Sequence, residues 1–261
     1  MARSDAARLL QSAMDVHGGL ARWQRVAQIE ANLSSWGLAF TLKGQGQALK
    51  NLCIRVQVDP PAVVLLGFGG PGGSGHWTPE RVTMYDDGGQ LLAQRDNPYA
   101  AFFTWRKRLS WDQLDILYFA GKALWNYLCF PFYLRQQGVQ LTHETQVQPE
   151  GMYSLGARFA PSVPSHSVQE RFHLDPSGLL VRHDYTATVI GDWAVAANRC
   201  LANETVSGLR FYTRRRVTPR LGQHWVLPLP MLVSIELEDI VVIDQRQGVD
   251  APASGPSVLE P

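Results

Sequence analysis

The sequence predicts an α+β fold in which a curved antiparallel sheet holds helices against one face. Three observations carry that reading. Short runs that alternate apolar and polar residues recur along most of the chain, separated by Gly, Pro, Asn and Asp turns. One long apolar helical segment, 112–128, interrupts them, while further helical periodicity is concentrated near the N terminus. No composition break marks a second unit, so residues 1–247 read as one domain, and 248–261, rich in Pro, Ser, Ala and Gly, as a flexible tail. The 261 residues are 45% hydrophobic and 18% charged, with a formal net charge of +1. That excludes a disordered chain and leaves no general electrostatic reason to bind nucleic acid.

The elements follow in order. Residues 4–15 place Ala6, Leu9, Leu10 and Ala13 on one helical face, with Ser4 as a cap and Gly18-Gly19 as the stop. A short second helix is expected over Leu20–Val26. Strands are expected from Ile29 to Ser35, then at Leu38–Leu42, Leu52–Val58 and Ala62–Leu66. Residues 67–75, Gly-Phe-Gly-Gly-Pro-Gly-Gly-Ser-Gly, satisfy G-x-G-x-x-G literally. Pro71 and further glycines stand where a helix should begin, so the stretch reads as a flexible hairpin loop and not as a nucleotide site. Arg81–Tyr85 and Gln90–Gln94 flank the turn Asp86-Asp87-Gly88-Gly89. The helix at 112–128 takes Ser110 as its cap and carries Leu114, Leu117, Tyr118, Gly121, Leu124, Trp125 and Leu128 as one broad stripe. Pro131 ends it. Seven strands are expected beyond it: Val139–Val147, Met152–Phe159, Ser167–Leu174, Leu179–Val189, Trp193–Cys200, Arg210–Thr218 and Leu232–Ile243.

The hairpin around Asp175-Pro176-Ser177-Gly178 is the most informative segment. A four-residue turn there sets Leu174 opposite Leu179, Phe172 opposite Val181, Glu170 opposite His183 and Val168 opposite Tyr185, all on one face. The other face, with Gln169, Arg171, His173, Arg182 and Asp184, reads as the wetter one. A carboxylate and an imidazole are therefore aimed directly at each other on an otherwise apolar face. Such a pair can be a buried ion pair that fixes register, a polar contact for a ligand, or a general acid–base couple.

Other constellations are thinner. His166 lies roughly 13 Å along the strand from Glu170 and His173 faces away, so no metal site is expected. His17 reads as a helix-end residue. Arg214-Arg215-Arg216 alternates on a strand, with a solvated outer face as the default and an anion or lipid-headgroup patch as the alternative. Cys53, Cys129 and Cys200 are far apart and odd in number, and read as reduced, buried thiols. The opening residues lead into no unbroken apolar run, and no stretch reaches the ~20 apolar residues that span a bilayer. The expectation is a cytoplasmic chain with no transmembrane segment.

Three segments carry a resemblance: His17-Gly18-Gly19-Leu20-Ala21-Arg22-Trp23, the helix 118–127, and the hairpin 175–185. They resemble a functionally unassigned group of bacterial proteins whose plan is similar to the LolA/LolB lipoprotein-carrier fold. The resemblance implies an incomplete antiparallel barrel around an apolar cavity, lidded by helices, and binding of acyl chains or other greasy molecules. It implies no catalytic residue.

The leading expectation is binding of a hydrophobic small molecule, lipid-like or polyketide/terpenoid-like, with no cofactor. Glu170, His183 and Tyr185 would supply polar contacts, and Tyr118, Trp125, Asn126, Phe172 and Trp193 would line the cavity. The alternative is a cofactor-independent enzyme (isomerase, lyase or cyclase) in which His183 moves a proton, Glu170 orients it and Tyr185 donates to a developing oxyanion.

Overall fold

The computed structural model describes residues 2–144, 151–222 and 225–245. Its helices are α1 (Ala2–Val16), α2 (Leu20–Trp23), α3 (Leu38–Leu42), α4 (Trp105–Leu109) and α5 (Gln113–Cys129). The strands are β1 (Val26–Trp36), β2 (Leu52–Gln57), β3 (Ala62–Leu66), β4 (Ser74–Trp77), β5 (Arg81–Tyr85), β6 (Leu91–Asp96), β7 (Val139–Glu144), β8 (Tyr153–Phe159), β9 (Gln169–Leu174), β10 (Leu180–Thr186), β11 (Val195–Val206), β12 (Leu209–Leu221), β13 (Trp225–Val226) and β14 (Val233–Asp244). The expected tail, 248–261, and the far end of the Val139–Val147 strand lie outside the described residues.

The sheet order is β6-β5-β4-β3-β2-β1-β14-β12-β11-β10-β9-β8-β7, with β13 paired to β12 alone. Every pairing is antiparallel, and β6 and β7 do not pair, so the barrel is incomplete. The two edges are consecutive strands. The segment joining them must pass from one edge to the other, and it carries α5 through the concave face. Alternation in the strands serves that face: β2 reads buried, exposed, buried along its length, with Leu52, Ile54 and Val56 inward.

α5 is held more deeply than an amphipathic stripe requires, since every residue from Leu114 to Cys129 is buried. It runs against β2–β5 and reaches β12. Gly121 permits the close approach, because a Cβ there would lie 2.3 Å from Trp77 Cγ. The cap is Asp112 and not Ser110. The Asp112 carboxylate accepts from the Asp115 N–H at 3.0 Å, and Asp115 accepts in return from the Asp112 N–H at 2.8 Å. Arg95 and Lys107 pair with both carboxylates and satisfy the buried Asp115.

Three further expectations are corrected. Leu38–Leu42 is one helical turn and not a strand: Gly37, at φ 150°, folds the chain against Leu232, and Phe40 turns in onto Phe119. An apolar run this short carries no period to decide between the two. The glycine-rich loop ends at Gly73, and Ser74–Trp77 forms β4, with Gly75 pressed against Leu117. Cys53 is exposed on β2 and donates to Asn32 Oδ1 at 2.9 Å; Cys129 is buried and Cys200 half-buried.

His17 anchors α1. Its Nδ1–H donates to the Ala13 carbonyl at 2.6 Å, and its Nε2 accepts from Tyr212 Oη at 3.0 Å, which itself accepts from the Leu180 N–H at 2.6 Å. Burial pushes the imidazole down from 6.5 to about 4. The folded state therefore refuses a proton that the unfolded chain takes up between about pH 6.5 and pH 4, and stability falls as pH drops through that window. The full effect is about 3 kcal/mol. Denaturant titrations at neutral and mildly acid pH should show this loss, and His17→Gln should reduce it; an identical acid loss in the variant would exclude His17 as a cause.

Candidate functional site

The 174–180 hairpin departs from the expected register while keeping the expected contact. Asp175 N–H bonds to the Leu179 carbonyl at 2.9 Å, so the turn is the three residues Pro176, Ser177 and Gly178, the last at φ 94°. Asp175 Oδ1 holds it by accepting from the Ser177 and Leu179 N–H groups. Leu180, not Leu179, then pairs with Leu174, and a bulge at Val181 adds a second residue of slip. His183 faces Phe172 instead of Glu170. Two single-residue slips restore the original face, so His183 and Glu170 remain on the concave side and meet diagonally, with Nε2 2.6 Å from Oε2. Val168, expected opposite Tyr185, has no partner there in the β9–β10 ladder; it is 58% exposed and borders a cavity between the two sheet edges.

Glu170 is fully engaged. Its Oε1 accepts from the backbone N–H groups of His166 (2.6 Å) and Ser167 (2.9 Å), and its Oε2 accepts from His183. The carboxylate thus ties the 160–168 loop to the hairpin. His166 stacks on Tyr185 with ring centroids 4.1 Å apart, and His183 stacks on Phe172 at 4.3 Å. Tyr185 Oη meets Tyr127 Oη at 3.2 Å, and burial pushes the Tyr185 phenol well above its ordinary range.

The opposite face is not the wet one expected. His173 and Asp184 are buried there, paired at 2.9 Å, with Ser154 on His173 Nδ1 and Arg182 against both. Burial alone would raise the Asp184 carboxyl; the His173 hydrogen bond and the Arg182 and Arg220 cations outweigh it and hold the group below the usual carboxylate range. The arginine triplet also splits. Arg214 and Arg216 point outward, while Arg215 turns inward, 1% exposed, over the rings of Tyr127 (4.6 Å) and Tyr212 (5.0 Å).

A cavity of about 680 Å³ lies between the two edges of the open sheet. Trp77 and Tyr99 stand on one side, Phe159, Val163 and His166 on the other, and Tyr118 and Lys122 of α5 form part of its wall. Tyr99 Oη bridges to Thr188 Oγ1 at 3.3 Å, and Thr188 Oγ1 donates to the His166 carbonyl at 2.9 Å. The hollow on the β1–β14 side of α5 is packed shut: the space near Phe40, Leu124 and Ile235 is about 20 Å³.

Of the expected lining residues, Tyr118 reaches the large cavity. Trp125 is wholly buried with Nε1 on the Val58 carbonyl (3.3 Å), Asn126 donates to the Lys122 carbonyl (2.7 Å), and Phe172 is sandwiched between Phe130 and His183. Trp193, expected as a wall, is 77% exposed. Filling of the concave face by α5 explains the displacement of the site toward the seam. A cleft of about 420 Å³ on the outer face includes Glu170 and Tyr185 among its residues, but His183 borders neither space. Lys122 and His166 were missed. The signal for Lys122 was present: it is the one charged residue between Ile116 and Leu134.

No family model matches the chain, and no curated protein matches it. Solved structures do. The chain is similar to a DUF1329 family protein from Desulfovibrio piger, with TM-score 0.54 and 10% identity over 92% of each chain. It is similar to a LolA superfamily protein from Nitrosomonas europaea, with TM-score 0.51 and 10% identity over 92% of this chain and 94% of that one. These likenesses establish the fold: an open, LolA-like antiparallel half-barrel.

Proposed function

We propose that the protein binds a hydrophobic small molecule, lipid-like or polyketide/terpenoid-like, in the cavity at the seam of its half-barrel. The carrying observation is the cavity itself. Its volume of about 680 Å³ falls within the roughly 300–1,000 Å³ of small-molecule sites, and rings and aliphatic side chains dominate its walls. The LolA superfamily likeness supports the same reading. Phe103, 69% exposed, packs edge-on against the cavity residue Tyr99 at 5.1 Å and extends an apolar lip to the surface. The proton-transfer alternative gains no support, since His183 Nε2 is engaged by Glu170 and His183 borders neither the seam cavity nor the outer cleft.

Native mass spectrometry of the purified protein, followed by solvent extraction, tests the proposal. The expected result is a mass increment of a few hundred daltons or, for stripped protein, saturable uptake of a neutral hydrophobic fluorophore. Absence of both would refute it.

A further inference from the structure

Lys122 is in an unusual position. It sits mid-helix, 3% exposed, with buried residues on both sides in sequence. Burying an ammonium is costly unless an anion meets it. Among the described residues no carboxylate lies within ion-pair distance of its Nζ; the contacts are the faces of Tyr118 (5.2 Å) and Tyr99 (5.7 Å). Glu170, whose field reaches Lys122, is committed to His183 and two backbone N–H groups. The cavity that Lys122 borders has Arg158 in its wall and no Asp or Glu among its described lining residues. His166 borders it too, buried, with Nε2 lacking a hydrogen-bond partner. Arg215 adds a second buried cation to the interior.

We infer that Lys122, seconded by His166, is the polar anchor of the seam cavity, and that the ligand is a long-chain carboxylic acid whose carboxylate meets the Lys122 ammonium while its chain lies against Trp77 and Phe159. This rests on the hydrophobic-ligand reading and narrows it. An incoming monoanion supplies the missing counter-charge. A carboxylate fits better than a phosphate head at this point, because the buried Lys122 ammonium and the His166 imidazole form no guanidinium fork, and Arg158, the guanidinium among the described lining residues, stands exposed on β8. Burial lowers the Lys122 amine to about 8, and an arriving carboxylate would restore the charged form.

The test is displacement of a neutral hydrophobic fluorophore from stripped protein by oleic acid, oleyl alcohol and oleyl phosphate. Wild type should bind the acid about tenfold or more tighter than the alcohol, a difference that an ion pair in a water-poor site readily supplies. Lys122→Met, close in shape and free of buried charge, should bring the acid down to the alcohol and leave the alcohol unchanged. Equal binding of acid and alcohol by wild type, tighter binding of the phosphate, or a preference that survives in Lys122→Met would overturn the assignment while leaving the hydrophobic-ligand reading intact. Failure of the fluorophore and all three competitors to bind would overturn both.

Discussion

Replacing Glu170 with alanine should lower stability by about 3–5 kcal/mol, since a buried donor left without its acceptor costs about 1–3 kcal/mol. Three groups lose their acceptor at once: the His183 imidazole and the N–H groups of His166 and Ser167. None is exposed enough to recover a full set of water contacts. The effect should be local as well as global. The tether holds the 160–168 loop, which forms one wall of the seam cavity, so the variant should also expose that loop to proteolysis under native conditions. Glu170→Gln keeps an oxygen for the backbone donors and should cost less than alanine. Urea denaturation with limited proteolysis checks both effects, and a loss below about 1 kcal/mol for Glu170→Ala would show that the pair contributes little to the fold.

Trp77→Ala should be of similar size, about 3–5 kcal/mol, as for other buried large-to-small changes. Trp77 is 1% exposed, packs closely against Gly121, and borders the cavity. Its loss removes packing between β4 and α5 and merges the vacated space with the cavity. The variant should therefore be less stable and should also bind the hydrophobic fluorophore with altered affinity. Trp77→Phe should keep most of the stability. Denaturation and fluorophore titration read the two effects separately; unchanged binding in a destabilised Trp77→Ala would remove Trp77 from the site.

Part of the fold was legible because one-sided burial imposes a period of two, which β2 and β3 display along their whole length and β12 displays from Arg214 to Val217. The inward direction of His183 and Glu170 was legible too, although their register was not. The turn at Asp175–Gly178 and the bulge at Val181 each add one residue, and no local pattern announces a bulge. The cavity was misplaced for a different reason. A helix apolar on one stripe leaves room beside it, whereas α5 is buried all round and fills the hollow itself. The site then falls at the seam, where strands distant in sequence face each other across a Pro- and Ser-rich loop that has no periodicity to read. Lys122 carried a readable sign, a lone charge in an apolar helix, but its meaning depends on which side of the helix stays open.

The most direct measurement is a crystal structure of the protein grown with a brominated long-chain acyl probe, with bromine located by anomalous scattering. Bromine is expected between Trp77 and Phe159, inside the gap left by the unpaired edge strands β6 and β7. Bromine solely on the outer face of the sheet, or a cavity that stays free of probe at saturating concentration, would contradict binding at the seam.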